Sequence, residues 1–146
     1  MQIGDIEDGE VEAVVALWEA CGLTRPWNDP RADIALARAG AASAVLVGRR
    51  DGRVIASAMV GADGHRGWVY YVAVEPALQG EGLGRVIMDA AEAWARAAGV
   101  PKFQLMVRTG NRAVIDFYRR LGFLEEETVV MGKRFDGRSW DVAPRA

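Results

Sequence analysis

Cysteine and histidine are almost missing from this chain: Cys21 and His65 are the only ones in 146 residues. One cysteine forbids an intrachain disulfide and suits a reducing compartment. One cysteine with one histidine excludes a zinc site of the usual Cys/His kind. A serine–histidine or cysteine–histidine hydrolase would have to be built on His65. An excess of positive charge is missing too. The 18 basic residues face 20 acidic ones, for a net charge of −2, so no global field exists to hold nucleic acid or an anionic membrane. Long apolar runs are absent. The weakly apolar stretch from Ala39 to Gly48 is closed by Arg38 and Arg49, well short of the ~18 residues a membrane span needs. Met1-Gln2-Ile3-Gly4-Asp5 carries no basic region followed by an apolar one, so no secretory signal is expected. These absences together predict a cytoplasmic protein without a metal, a nucleic-acid partner or a membrane anchor.

What remains is a globular composition, with 51% hydrophobic and 26% charged residues. Such a chain buries a core without staples. No repeat, linker or low-complexity tract interrupts it, so residues 1–146 read as one domain. The polar tail from Gly137 to Ala146 is expected to fray.

Met1 to Glu7 reads as a short strand. Asp8 is a candidate N-cap, and Val11, Val14, Val15 and Trp18 then recur at helical spacing up to the stop at Gly22. Two prolines make 23–30 a loop, with Asp29-Pro30 as cap and first residue of a second helix running to Ala39. Ala44 to Arg49 and Val54 to Gly61 are strands joined by the turn Asp51-Gly52. A second turn, Asp63 to Gly67, leads into Trp68 to Val74. That strand has almost no polar side chain and reads as buried on both faces. Leu83, Val86, Ile87, Ala90, Ala91, Trp94 and Ala98 make one helical face, closed by Gly99. Phe103 to Val107 is the next strand. Asn111 caps a helix carrying Val114, Phe117, Tyr118 and Leu121, and Thr128 to Phe135 is the last strand. The expected fold is α/β with a mixed sheet, in the order β-α-α-β-β-β-α-β-α-β: an antiparallel meander, then a β-α-β crossover.

The chemistry concentrates where the third meander strand meets the long helix. Gln79-Gly80-Glu81-Gly82-Leu83-Gly84-Arg85 forms a glycine-rich turn at a helix start. Glycine lets a ligand approach the backbone, and the first helical N–H groups with the helix dipole favour phosphate. Arg85 stands where the dinucleotide fingerprint needs its last glycine, and no Walker lysine follows. By itself such a turn is equally a plain strand-to-helix connection.

The pattern Gln79-x-x-Gly82-x-Gly84 resembles the pyrophosphate loop of the GNAT superfamily of N-acetyltransferases. A second segment is similar to another motif of that family: Asn111-x-Ala113, then Phe117-Tyr118, then Gly122-Phe123. Arg25 to Pro30, Asp63 to Gly67 and Gly132-Lys133-Arg134 further resemble a bacterial subgroup called YpeA-like. The resemblance spans essentially the whole chain. It implies acetyl-CoA as acyl donor and direct attack of a primary amine, small or peptidic, on the thioester in a ternary complex. It implies coenzyme contacts from Gln79, Gly80, Glu81, Gly82, Leu83, Gly84, Arg85 and Asn111. The thioester arm would pair with backbone at Val72 and Val74, where the family carries a strand bulge that sequence does not reveal.

Tyr118 is the candidate acid for the departing thiolate, and Asn111 also reads as a helix cap. Tyr118 would otherwise be a core tyrosine beside the apolar stripe. The family's glutamate early in the third meander strand falls on Trp68, so no carboxylate base is carried over. Tyr70, Tyr71, His65 or a backbone-held water remain as bases, with the water relay preferred. His65 is equally a residue of a polar turn. Glu81 departs from the basic residue often found in that loop and would repel pyrophosphate unless turned away or offset by Arg85. For the acceptor, Arg25 could grip a carboxylate, and Trp27 could cover an apolar group or a cation. Asp29 and Asp63 could hold an ammonium, with His65 and Tyr70 near. Asp29 is also a helix cap, and Trp27 also a core residue. The competing functions are an acyl-CoA sensor without turnover, an acyltransferase for another short acyl group, and an interaction protein that pairs as a homodimer.

Overall fold

The computed structural model describes residues 1–138. The tail expected to fray falls largely outside them. The chain divides into two compact units, Met1–Thr24 with Asp29–Leu105, and Arg25–Asn28 with the described part of Met106–Ala146.

The first unit holds a five-stranded sheet: β1 (Gln2–Asp5), β2 (Ser43–Arg50), β3 (Arg53–Ala62), β4 (Gly67–Val74) and β5 (Phe103–Gln104), in that spatial order. The first four strands pair antiparallel, and β5 joins β4 in parallel. Helices α1 (Val11–Ala20), α2 (Pro30–Ala39) and α3 (Leu83–Ala97) cover it. Val45, Leu46 and Val47 are buried in succession, so both faces of the sheet are covered. Val14, Val15 and Trp18 of α1 and Ile34 of α2 form one core with Val45, Val47 and Ala73. Leu83, Ile87, Met88, Ala91 and Ala95 of α3 are buried where that helix packs on β3 and β4, whereas Val86 and Ala98, expected on the same face, are exposed. The order of elements down to β5 is the expected one.

Local corrections follow from hydrogen bonding. A short 3-10 turn, Asp8–Glu10, precedes α1. Its entry is fixed not by Asp8 but by Glu10, whose side chain accepts from the Glu7 N–H at 2.9 Å. Asp29 caps α2 as expected, accepting from the N–H groups of Arg31 and Ala32 at 3.0 and 3.2 Å. β5 spans two residues rather than five, because its pairing with β4 stops at Trp68 and Gln104.

The second unit holds α4 (Arg112–Arg120). Asn111 occupies its N-cap position, but its side chain makes no capping bond. The last expected strand is absent: residues 128–135 form no ladder, and Val129, Val130, Met131 and Phe135 are exposed. Strand-forming residues alone do not make a strand, which exists only when a partner takes its backbone groups.

Candidate active site

In β4, Met59 pairs with Tyr70 and Ser57 with Ala73, so Ala58 alone faces two residues, Tyr71 and Val72. This is a β-bulge. Tyr71 takes φ +51°, a left-handed backbone that costs a non-glycine residue about 1–2 kcal/mol. Its surroundings hold it there. The Tyr71 ring stacks on Trp18 with centroids 3.7 Å apart and planes within 4°. Its hydroxyl donates to Asp33 Oδ2 at 2.6 Å. Its carbonyl accepts from Ser57 Oγ at 2.8 Å, and Ser57 Oγ accepts from Trp18 Nε1 at 2.8 Å.

Beyond Trp68 no described strand pairs with the outer edge of β4. Backbone orientation there can be read from neighbouring bonds. Glu75 N–H donates to Ile55 on β3 at 2.8 Å, so across a trans peptide the Val74 carbonyl points away from β3. It accepts from Gln79 Nε2 and from Cys21 Sγ, both at 3.2 Å. The first residue of the glycine loop thus folds back on the strand it follows. Burial, the larger influence, raises the Cys21 thiol pKa against that hydrogen bond, which keeps the thiol protonated and inert.

After β4 the chain makes a 3-10 turn, Pro76–Leu78, and reaches the loop. Gly80 and Gly82 have φ +87° and +82°, and a Cβ on either would meet nothing within 4 Å. Gly82 is the N-cap of α3, and the first helical bond runs from Val86 N–H to the Gly82 carbonyl at 3.3 Å. The N–H groups of Leu83 and Gly84 therefore lack helical partners at the positive end of the dipole. A helix start of this kind favours an anion such as a phosphate. Glu81 pairs with Arg50 of β2 at 3.5 Å, both side chains being about half exposed, so its charge is partly balanced.

His65 is exposed in the β3–β4 turn, which Asp63 closes by accepting from the N–H groups of His65 and Arg66 at 2.9 and 2.7 Å. Those bonds hold the Asp63 carboxyl below its ordinary pKa. Five residues of strand, about 17 Å, separate Gly67 from Val72, so His65 does not reach the bulge. Trp68 and Tyr70 stack at 6.4 Å. Burial raises the Tyr70 phenol pKa, with the Asp63 charge adding to it, which argues against Tyr70 as a ready base. In the second unit, Arg25 accepts the Asn28 N–H on its carbonyl at 3.1 Å, closing a turn. Trp27 in that turn is half-buried and outside the core. Tyr118 is buried, edge-on to Phe117 and Phe123 at 5.0 and 5.7 Å. Burial alone pushes its pKa up to about 12.

A profile of the acetyltransferase (GNAT) family matches residues 11–123. The chain belongs to the GNAT family of acetyltransferases. An acetyltransferase of Yersinia enterocolitica is 39% identical over 134 residues, covering 92% of this chain and 95% of that one. A Pectobacterium atrosepticum acetyltransferase is 40% identical over the same lengths. Among solved structures, a putative acetyltransferase of Agrobacterium tumefaciens superposes with TM-score 0.78 at 19% identity, covering 92% of this chain and all of that one. An aminoglycoside 6'-N-acetyltransferase of Acinetobacter haemolyticus does so with TM-score 0.74 at 19% identity, over 93% and 100% of the two chains.

Within this GNAT chain, sequence reasoning missed the set that fixes the bulge: Trp18, Ser57 and Asp33. A signal existed for Ser57, the lone hydroxyl in the apolar run Val54-Ile55-Ala56-Ser57-Ala58-Met59-Val60. No comparable signal marks Asp33, one of many surface-type carboxylates. Among the described residues no cluster of His, Cys, Asp and Glu could hold a metal.

Proposed function

We propose that this acetyltransferase moves an acetyl group from acetyl-CoA to a primary amine by direct attack in a ternary complex, as one catalytic domain acting in the cytoplasm. The observation that carries the reading is a single continuous element. A bulged strand with an open outer edge runs into a left-handed glycine loop and a helix N-terminus. Pyrophosphate sits on the N–H groups from Gly80 to Arg85. The pantetheine arm lies along β4, with the thioester carbonyl at the Val72 N–H. The family match across 11–123 includes both motif segments and supports one domain. An aminoglycoside acetyltransferase of the same fold (TM-score 0.78, 17% identity) carries a CoA bisubstrate analogue, which supports the donor.

The amine nitrogen attacks the thioester carbon, the C–S bond breaks, and the ammonium proton leaves through water. That water is the base, since His65 is remote and Trp68 replaces a carboxylate. Tyr118 is the residue that the family motif offers for the departing thiolate. With its pKa near 12 against a thiol value of about 8.5, full transfer of its proton would be uphill by ~3–4 units, or ~5 kcal/mol. Tyr118 therefore stabilises the thiolate by donating a hydrogen bond, and solvent supplies the proton. Arg25, Trp27 and Asp29 remain the acceptor-side candidates of this reading.

Thiol release from acetyl-CoA with a panel of small amines, amino acids and peptide N-termini tests it. Turnover with at least one amine class is expected. Tight CoA binding with no release for any amine would favour an acyl-CoA sensor instead. Release that is faster from propionyl-CoA would move the donor to another short acyl group.

A further inference from the structure

Ser57 is fully buried and is the one polar residue of the described core. Its two hydrogen bonds have a forced direction. Indole N–H only donates, so Ser57 Oγ must accept from Trp18 Nε1, and its own single hydrogen must go to the Tyr71 carbonyl. The Tyr71 carbonyl is thereby pulled toward β3. Across the trans peptide that follows, the Val72 N–H points the opposite way, to the edge of β4 that β5 leaves open. A bulge otherwise leaves its extra peptide without a ladder to orient it. The flanking residues Ala56 and Ala58 offer no polar side chain to do so.

We propose that Ser57 is a positioning residue for the acyl donor: its hydroxyl, held by Trp18, sets the plane of the Tyr71–Val72 peptide and aims the Val72 N–H at the acetyl carbonyl. The role rests on the reading of the β4 edge as the thioester site. The benefit is preorganisation. A donor already aimed at the developing oxyanion needs no rearrangement when charge appears on it. Ser57 touches no substrate and acts only through the backbone of Tyr71 and Val72.

The test does not require the acceptor. The carbonyl stretch of acetyl-CoA labelled with carbon-13 at the acetyl carbonyl is recorded on the full-length protein, since a hydrogen bond to the oxygen lowers its frequency. CoA affinity is measured in parallel by calorimetry. In Ser57→Ala the band moves to higher frequency than in the wild type, CoA affinity changes less than twofold, and Ser57→Thr restores the wild-type band. Once an amine is found, kcat in Ser57→Ala falls at least tenfold at unchanged KM for acetyl-CoA. A residue that merely fills the core would move the unfolding temperature and leave the band in place, and that result overturns the role. Should Ser57→Ala not fold, Trp18→Phe keeps an aromatic ring against Tyr71 and withdraws the N–H that orients the hydroxyl, along with part of the ring's volume. It shifts the band the same way by less, and an unmoved band again overturns the proposal. A wild type that binds no acetyl-CoA would overturn the site reading itself, which is a distinct result.

Discussion

Helix α3 lies between two glycines of nearly identical backbone, and they separate folding from binding. Gly82 at its start has φ +82° and Gly99 just past its end has φ +79°, and a Cβ on either would meet nothing within 4 Å. Neither alanine would therefore clash with the protein. Each would carry the left-handed strain of about 1–2 kcal/mol, offset in part by about 0.4–1 kcal/mol from the stiffer unfolded chain. At roughly 2–4 °C per kcal/mol for a domain near this size, both variants should unfold a few degrees early and by similar amounts. Binding should differ. In Gly82→Ala the methyl projects into the space beside the first turn of α3, where the pyrophosphate is proposed to lie. A tenfold or greater loss of CoA affinity is expected, about 1.4 kcal/mol. In Gly99→Ala, at the opposite helix end, affinity should stay within twofold. Thermal unfolding and calorimetric titration with CoA read the two quantities separately. Equal affinity in Gly82→Ala and wild type would refute the placement. So would an equal loss in Gly99→Ala, which would trace the effect to helix strain.

Other outcomes follow from the same physics. Tyr118→Phe should leave CoA affinity unchanged and lower turnover about a hundredfold. Its folded pKa of about 12 exceeds the unfolded value near 10, so its contribution is intact below pH 10 and is lost as pH rises toward 12. Tyr118→Phe should therefore remove about 2–3 kcal/mol of alkaline destabilisation, seen in urea unfolding across that range. Arg49 grips Glu10 with two bonds of 2.6 Å, which depress the Glu10 pKa. That stability is present above the ordinary carboxylate range and is lost as pH falls through it. Glu10→Gln should cost about 1–2 kcal/mol at pH 7, between exposed pairs and charge-assisted bonds, and almost nothing near pH 3. Glu81→Lys should tighten CoA several-fold at low salt, with the gain shrinking at about 0.5 M salt; an unchanged affinity would show that the Glu81 charge does not reach the ligand.

How much of this was legible in the residues depends on what each feature leaves in sequence. Helix α3 and its loop were readable because a 3.6-residue apolar period opens on glycines and closes on Gly99. Asp29-Pro30 announced its cap through the pairing of an acceptor side chain with proline. The bulge was not readable. Trp68 to Val74 is apolar on both faces, so inserting one residue disturbs no alternation, and only the backbone of Tyr71 records it. Asn111 matched a cap in type, yet its side chain caps nothing. Residues 128–135 open on the β-branched Thr128, Val129 and Val130 but have no ladder, since strand formation depends on a partner as well as on local propensity. Ser57 was visible as an oddity, though its meaning required knowing that Trp18 and Tyr71 meet it.

The most direct test of the account is thermal unfolding of the purified protein with acetyl-CoA, free CoA and NAD. A ligand at about 100 times its dissociation constant adds about 2.7 kcal/mol, several degrees for a domain of this size. A shift is expected with both coenzyme A forms and none with NAD. No shift at millimolar acetyl-CoA would contradict it, leaving the glycine loop a strand-to-helix turn and the bulge a site without a donor.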